Sequence, residues 1–110
     1  ITTIPIEIGN LTNLNELYLS YNKIKICNFV ANLLNLRELN LNNNKIKEIP
    51  PEIGKLLNLE KLYLYNNEIK MIPIEIGNLL NLKNLDFYAN KITIIPKEIG
   101  NLINLERLYL

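Results

Sequence analysis

Histidine and tryptophan are absent from the 110 residues, and cysteine occurs once, at Cys27. Without histidine the chain offers no imidazole base for a catalytic triad, so we expect no catalytic residues. Gly-rich phosphate loops, cysteine pairs and Walker-type sequences are also missing, so we expect no metal ion and no other cofactor. A lone cysteine forms no internal disulfide, which favours a reducing compartment and argues against a cysteine-stapled secreted fold.

Strong charge and long apolar runs are missing as well. The formal net charge is +1, and 48% of the residues are apolar. This composition favours a folded chain, and it gives no strong field for nucleic acid or anionic lipid. The longest apolar run is far too short to span a bilayer, so we expect no membrane insertion. The length fits one domain with one core.

What the chain has is an internal repeat. One leucine per copy falls at Leu17, Leu39, Leu62, Leu85 and Leu108, with one step of 22 residues and three of 23. In residues 62–65 the apolar side chains are two apart, which indicates a short strand with one buried face. In residues 50–56 a proline opens a segment with apolar residues three apart, as in a 3₁₀ turn. Each unit can bury its apolar face only by stacking on its neighbours.

The repeat resembles the leucine-rich repeat, L-x-x-L-x-L-x-x-N-x-L, in its typical 23-residue class, similar to intracellular Ras-group-related, bacterial and protist repeats. The matching sets are Leu14/Leu17/Leu19/Asn22/Ile24, Leu36/Leu39/Leu41/Asn44/Ile46, Leu59/Leu62/Leu64/Asn67/Ile69 and Leu82/Leu85/Phe87/Asn90/Ile92. The resemblance implies an α/β right-handed solenoid, with a curved parallel sheet on its concave side and short 3₁₀ turns on its convex side. We expect a single domain over residues 1–110, with four repeats and a partial fifth, truncated at both ends without caps.

At three further positions of the repeat one residue type recurs from unit to unit. We call each such set a column, and each has a structural interpretation. We interpret Asn22, Asn44, Asn67 and Asn90 as a structural ladder whose amides bond to the loop backbone of their own and neighbouring coils. Gly9, Gly54, Gly77 and Gly100 indicate a backbone position that is crowded or needs positive φ. Glu7, Glu52, Glu75 and Glu98 are expected on the convex side in water. The second unit has Cys27, Phe29 and Ala31 in place of Pro, Glu and Gly, so its convex side should be the least regular.

The concave face, formed by the residues between the leucines of the strands, is the candidate binding surface. All six tyrosines of the chain fall among these residues. Tyrosine favours strands, which explains part of this bias, but tyrosine and arginine are also enriched at interface hot spots. We therefore predict that a partner contacts Tyr18, Lys61, Tyr63, Tyr65, Asp86, Tyr88, Arg107 and Tyr109.

A second feature is a row of lysines after the strands: Lys23, Lys25, Lys45, Lys47, Lys70 and Lys91. It could steer an acidic partner, but Glu68 and Thr93 interrupt it. We favour a solvated edge.

The predicted function is noncatalytic protein recognition through the concave face. We expect a cytoplasmic protein that is monomeric, except for association through its exposed solenoid ends. One alternative is a targeting segment of a larger enzyme, such as a kinase, GTPase or ubiquitin ligase. Another is an extracellular recognition ectodomain, for which Asn10-Leu11-Thr12 would be a glycosylation acceptor. The identity of the protein partner is not encoded in the fold.

Overall fold

Five short parallel strands form one sheet, in their order along the chain, in the computed structural model of residues 1–110. The strands are β1 (Glu16–Tyr18), β2 (Glu38–Asn40), β3 (Lys61–Tyr63), β4 (Asn84–Asp86) and β5 (Arg107–Tyr109). The central leucines pair in register, Leu17 with Leu39, Leu39 with Leu62, and so on to Leu108. The strand steps are those of the sequence repeat, and the predicted solenoid is confirmed.

A five-residue 3₁₀ helix lies opposite the sheet in each coil. The five helices are Ile6–Asn10, Asn28–Asn32, Pro51–Lys55, Ile74–Asn78 and Lys97–Asn101. Four of them follow a proline with φ between −67° and −64° and ψ between 141° and 146°, since the pyrrolidine ring presets φ. The second follows Cys27, with φ −118° and ψ 30°. The coil with the one-residue deletion is therefore the one that enters its helix differently.

The interior is one continuous cluster of 23 buried apolar residues. Leu39, Leu62 and Leu85 are completely buried because each is covered by a coil on either side. In the second coil, Phe29 stands where other coils have glutamate, and its ring lies in the core with Cys27 beside it. No helical segment has the length and apolarity that a bilayer crossing needs.

The glycine column exists because of crowding, and the alternative of positive φ is wrong. None of the glycines has a positive φ. A Cβ on Gly54 would lie 2.9 Å from the carbonyl oxygen of Glu75, in the next coil. Backbone atoms of adjacent coils therefore approach closely here, and only glycine leaves the space they need.

The prediction that all four glutamates of the convex column lie in water is wrong for two of them. Glu7 and Glu52 are exposed to solvent. Glu75 and Glu98 are half-buried, since the Cβ atom of each lies against the glycine of the preceding coil.

Positive φ occurs instead in the turn that follows each of the strands β1 to β4. The residues are Tyr21, Asn43, Asn66 and Ala89, with φ between 54° and 58°. Asparagine tolerates the left-handed region better than other residues with a Cβ. For tyrosine and alanine the same conformation is sterically unfavourable. Two of the four turns are thus made by residues that disfavour the conformation they adopt.

This strain predicts that Ala89→Asn stabilises the chain. We expect the free energy of unfolding to rise by about 0.5–1 kcal/mol, measured by urea denaturation, because asparagine adopts positive φ at lower cost than alanine. The control is Thr93→Asn, at an exposed position outside the positive-φ set, which should change stability by less than about 0.5 kcal/mol. Equal changes in the free energy of unfolding for the two variants would contradict the assignment of this strain to the positive φ of Ala89.

Candidate functional site

The strand register arranges the concave face in two rows of side chains on either side of the central leucines. One row runs Glu16, Glu38, Lys61, Asn84, Arg107, and the other runs Tyr18, Asn40, Tyr63, Asp86, Tyr109. Alternation within each strand turns the leucine inward and its two neighbours outward. Neighbours within a row are about 4.8 Å apart, the spacing of paired strands.

Most of the predicted site residues fall on the C-terminal half of this face. Tyr63, Asp86 and Tyr109 are consecutive in one row. Lys61 and Arg107 flank Asn84 in the other row, and the buried side-chain oxygen of Asn84 has no hydrogen-bond partner within the chain. Tyr18 lies two strands away from Tyr63, so it is separate from this cluster.

Tyr65 and Tyr88 extend the cluster just beyond the strand ends. Their rings are stacked, with centroids 6.0 Å apart and planes 8° from parallel. The backbone of each is held by a side chain: Tyr65 N–H donates to Asn42 Oδ1 at 2.8 Å, and Tyr88 N–H donates to Asp86 Oδ1 at 2.9 Å. Tyr65 is 37% exposed and Tyr88 is 59% exposed. The pair is an anchored aromatic platform that remains open to solvent.

The N-terminal half of the face is acidic. Glu16 and Glu38 are directly paired across β1 and β2, where like charges repel. Lys61 Nζ lies 3.3 Å from Glu38 Oε2, and the hydrogen bond to Glu38 raises the pKa of Lys61. Tyr18 donates its hydroxyl proton to Glu16 Oε2 at 3.3 Å. Desolvation, with the carboxylates of Glu38 and Glu16, raises the pKa of Tyr18 to about 12.

Lys61 is therefore engaged within the chain, unlike Arg107. The ion pair with Glu38 is partly exposed, so its contribution is small and a partner could compete for the lysine. The concave face changes along the solenoid from the paired carboxylates at β1 and β2 to aromatic rings with charges of both signs, Lys61, Asp86 and Arg107, at β3 to β5.

The asparagine column after the strands bonds each coil to the preceding one. Asn67 Nδ2 donates to the carbonyls of Leu41 at 3.0 Å and Leu64 at 3.1 Å, and Asn67 Oδ1 accepts from Ile46 N–H at 3.0 Å. Asn44 and Asn90 repeat this set of bonds one coil away on either side. Asn22 Nδ2 donates within its own coil to the carbonyls of Leu19 and Ser20, and Asn22 Oδ1 accepts from the N-terminal ammonium of Ile1 at 3.0 Å.

A second asparagine column was not recognised from the sequence. The Nδ2 atoms of Asn35, Asn58, Asn81 and Asn104 donate to carbonyls of the preceding coil over 2.6–3.4 Å. The signal was present, since an asparagine precedes the first leucine of every strand motif. These side chains are exposed, and they tie adjacent coils at the entry to the sheet.

Cys27 does not form part of a site. Its thiol is buried and donates to the carbonyl of Glu48 at 3.6 Å. Burial raises the pKa of Cys27 to about 12, so the thiolate is scarce at neutral pH. No group of three or more potential metal-ligand side chains occurs in the chain.

Comparisons with known proteins agree with this geometry. A profile of the family described as leucine-rich repeat region matches residues 22–110. The chain therefore belongs to the leucine-rich-repeat family. No curated protein matches the chain in sequence.

Several solved structures are similar. A leucine-rich-repeat protein of Leptospira interrogans is 41% identical, with a TM-score of 0.88, over 98% of this chain and 28% of that one. An internalin from Listeria monocytogenes is 28% identical, with a TM-score of 0.91, over 100% of this chain and 31% of that one. A TDR receptor is 35% identical, with a TM-score of 0.92, over 99% of this chain and 20% of that one. The chain thus spans less than a third of each of these proteins.

Proposed function

We propose that the chain is a noncatalytic protein-binding module and that a partner protein binds the C-terminal half of its concave face. A leucine-rich-repeat fold supports a role in protein interaction in general. The single observation that carries the choice of face is the stacked pair of Tyr65 and Tyr88 beside Tyr63, Asp86 and Tyr109.

The energetic argument rests on preorganisation. Tyrosine offers a large contact area with few rotatable bonds, so ordering it on binding costs little entropy. The stack holds the two rings, and the hydrogen bonds that Asn42 and Asp86 accept hold the two tyrosine backbones, before a partner arrives. Arg107 supplies a planar group with five donors at the edge of the cluster, and Asp86 supplies an acceptor. This combination is typical of a hot spot with polar surroundings.

The double variant Tyr65→Ala, Tyr88→Ala tests the proposal. We expect it to weaken partner affinity by roughly 2 kcal/mol or more, about 30-fold, because both anchors of the hot spot are removed. The partner would be isolated by affinity capture with the unmodified chain, and the dissociation constants would be measured by calorimetry with both purified proteins.

The matched control is Tyr21→Ala, which removes an equally large ring that is 82% exposed and lies in the turn after β1. It should leave the affinity unchanged. Unchanged affinity of the double variant, with an intact fold by circular dichroism, would remove the concave aromatic cluster as the binding site.

The setting of the module is also a proposal. We infer a cytoplasmic adaptor, supported by the single buried, unpaired thiol of Cys27. In a longer protein the same face would target an enzyme such as a kinase, GTPase or ubiquitin ligase, and the flanking sequence would identify it. Glycan attached at Asn10 in protein from its native cells would instead favour the extracellular ectodomain.

A further inference from the structure

A second surface, distinct from the concave face, lies along the edge of the solenoid after the strands. Its lysines point outward because they alternate with the buried residues Ile24, Ile46 and Ile69. The six members are Lys23, Lys25, Lys45, Lys47, Lys70 and Lys91, and all are exposed. None of them has a carboxylate within ion-pair distance, since the ion pair of this structure joins Lys61 and Glu38 on the concave face.

Large apolar side chains are exposed beside these lysines. Met71 is 77% exposed, Ile94 is 77% exposed and Ile74 is 60% exposed. The core does not need them, because Ile69 and Ile72 already supply the buried positions of this coil. The residue that corresponds to Met71 in the preceding coil is Glu48, so the fold accepts a charged side chain at this position. An apolar residue where the fold tolerates charge indicates a surface with another use.

Three of the lysines, Lys47, Lys70 and Lys91, line two adjoining grooves together with these apolar residues, and the grooves share Lys70 and Met71. The larger has a volume of about 490 Å³ between the fourth and fifth coils, and its lining includes Met71, Ile74, Ile94, Lys70 and Lys91. The smaller has a volume of about 390 Å³, and its lining includes Lys47 and Glu48. The larger groove has no acidic residue in its lining, so its charged groups are all positive. We call the two grooves together the lateral groove.

We propose that the lateral groove binds an extended segment of a partner protein whose groove-facing side carries apolar side chains and carboxylates in turn. In an extended chain, alternate side chains point to opposite faces, so the side chains that contact the groove are two residues apart in sequence, about 6.6 Å. Apolar side chains of such a segment enter the grooves on either side of Met71, and the carboxylates meet Lys47, Lys70 and Lys91. A flat bilayer surface would leave grooves of about 490 and 390 Å³ unfilled, so an acidic, apolar protein segment is the occupant that fits.

The test uses two short synthetic peptides: in one, leucine and glutamate take every second position in turn with serine between them, and in the other lysine replaces glutamate. We expect only the glutamate peptide to shift the amide NMR resonances of Lys70, Met71, Thr93 and Ile94 in the intact chain. The double variant Met71→Ser, Ile94→Ser should weaken this binding about tenfold or more, since two apolar contacts are lost. The double variant Lys70→Glu, Lys91→Glu should weaken it about tenfold as well and increase binding of the lysine peptide.

Matched controls keep the assignment specific. Ile103→Ser changes an equally exposed apolar residue outside the groove, and Lys55→Glu changes an exposed lysine on the third 3₁₀ helix. Both should leave the dissociation constant unchanged, as should the Tyr65→Ala, Tyr88→Ala variant, since the lateral groove is independent of the concave face. Equal binding of both peptides, or no shift at Met71 and Ile94, would overturn the proposal. Binding to phosphatidylserine vesicles without binding to the glutamate peptide would overturn it in favour of a membrane surface.

Discussion

Replacing Asn67 with alanine is expected to lower the free energy of unfolding by roughly 2–4 kcal/mol. The amide of Asn67 is 7% exposed and accepts a hydrogen bond from Ile46 N–H. Without it, this buried N–H has no acceptor, and a void is left between two coils. The carbonyls of Leu41 and Leu64 are less affected, because they still accept bonds from Asn44 and Asn90. The orphaned N–H therefore dominates the loss.

The position of Asn67 in the solenoid adds to the effect. Each coil of a repeat protein contacts only its neighbours, so an interior interface carries the coupling between the two halves of the chain. Asn67 lies in the third coil and bonds to the second. Its loss should also make the urea transition less cooperative, which appears as a lower slope of unfolding free energy against urea concentration.

The control for this prediction is Asn58→Ala. Asn58 is exposed and makes one long bond, 3.4 Å, to the carbonyl of Leu34 in the preceding coil. The same substitution there should cost less than about 0.5 kcal/mol. Similar losses at Asn58 and Asn67 would show that burial of the ladder amide is not what stabilises the stack.

The architecture was predictable because one residue spacing governs it. Leucines 22 or 23 residues apart can share an interior only if the strands that carry them pair side by side, and Leu17, Leu39 and Leu62 pair in that way. The buried face of each strand followed from the same alternation. The replacement of proline by Cys27 in the second unit also located the irregular helix entry.

Backbone conformation was harder to predict, because glycine is required both by crowding and by positive φ. The sequence alone does not distinguish these two causes at Gly54 or Gly77. Positive φ occurs at Tyr21 and Ala89, whose types do not signal it. The turn geometry is imposed by the stack of coils, so it overrides local preference at these positions.

At the candidate site, register predicted which residues are neighbours but not how their side chains pair. Tyr65 and Tyr88 are one coil apart, so their proximity was expected, whereas the nearly parallel ring planes depend on rotamers. Lys61 is a predicted partner contact, and register alone did not show that it pairs with Glu38 on the adjacent strand. The lateral groove was missed because Met71 and Ile94 fall in a column whose residue type varies between coils.

Replacing Gly77 with alanine is expected to destabilise the chain by about 1–3 kcal/mol, measured by urea denaturation. The backbone of Gly77 does not have positive φ, so alanine is acceptable there as a local conformation. Its Cβ, however, would lie 2.9 Å from the carbonyl oxygen of Glu98 and 3.0 Å from the Glu98 Cβ. Neither atom is the end of a flexible side chain, so the fourth and fifth coils must move apart to relieve the contact.

The same substitution at Gly100 should have the opposite sign. Gly100 occupies the same column and also lacks positive φ, but a Cβ there meets no atom within 4 Å. Alanine then only restricts the unfolded chain, which should raise the free energy of unfolding by about 0.4–1 kcal/mol. A lower free energy of unfolding for Gly77→Ala together with a higher one for Gly100→Ala would identify contact between coils as the reason for glycine in this column. A loss of equal size at Gly100 would instead attribute the glycine column to the local backbone of the 3₁₀ helix.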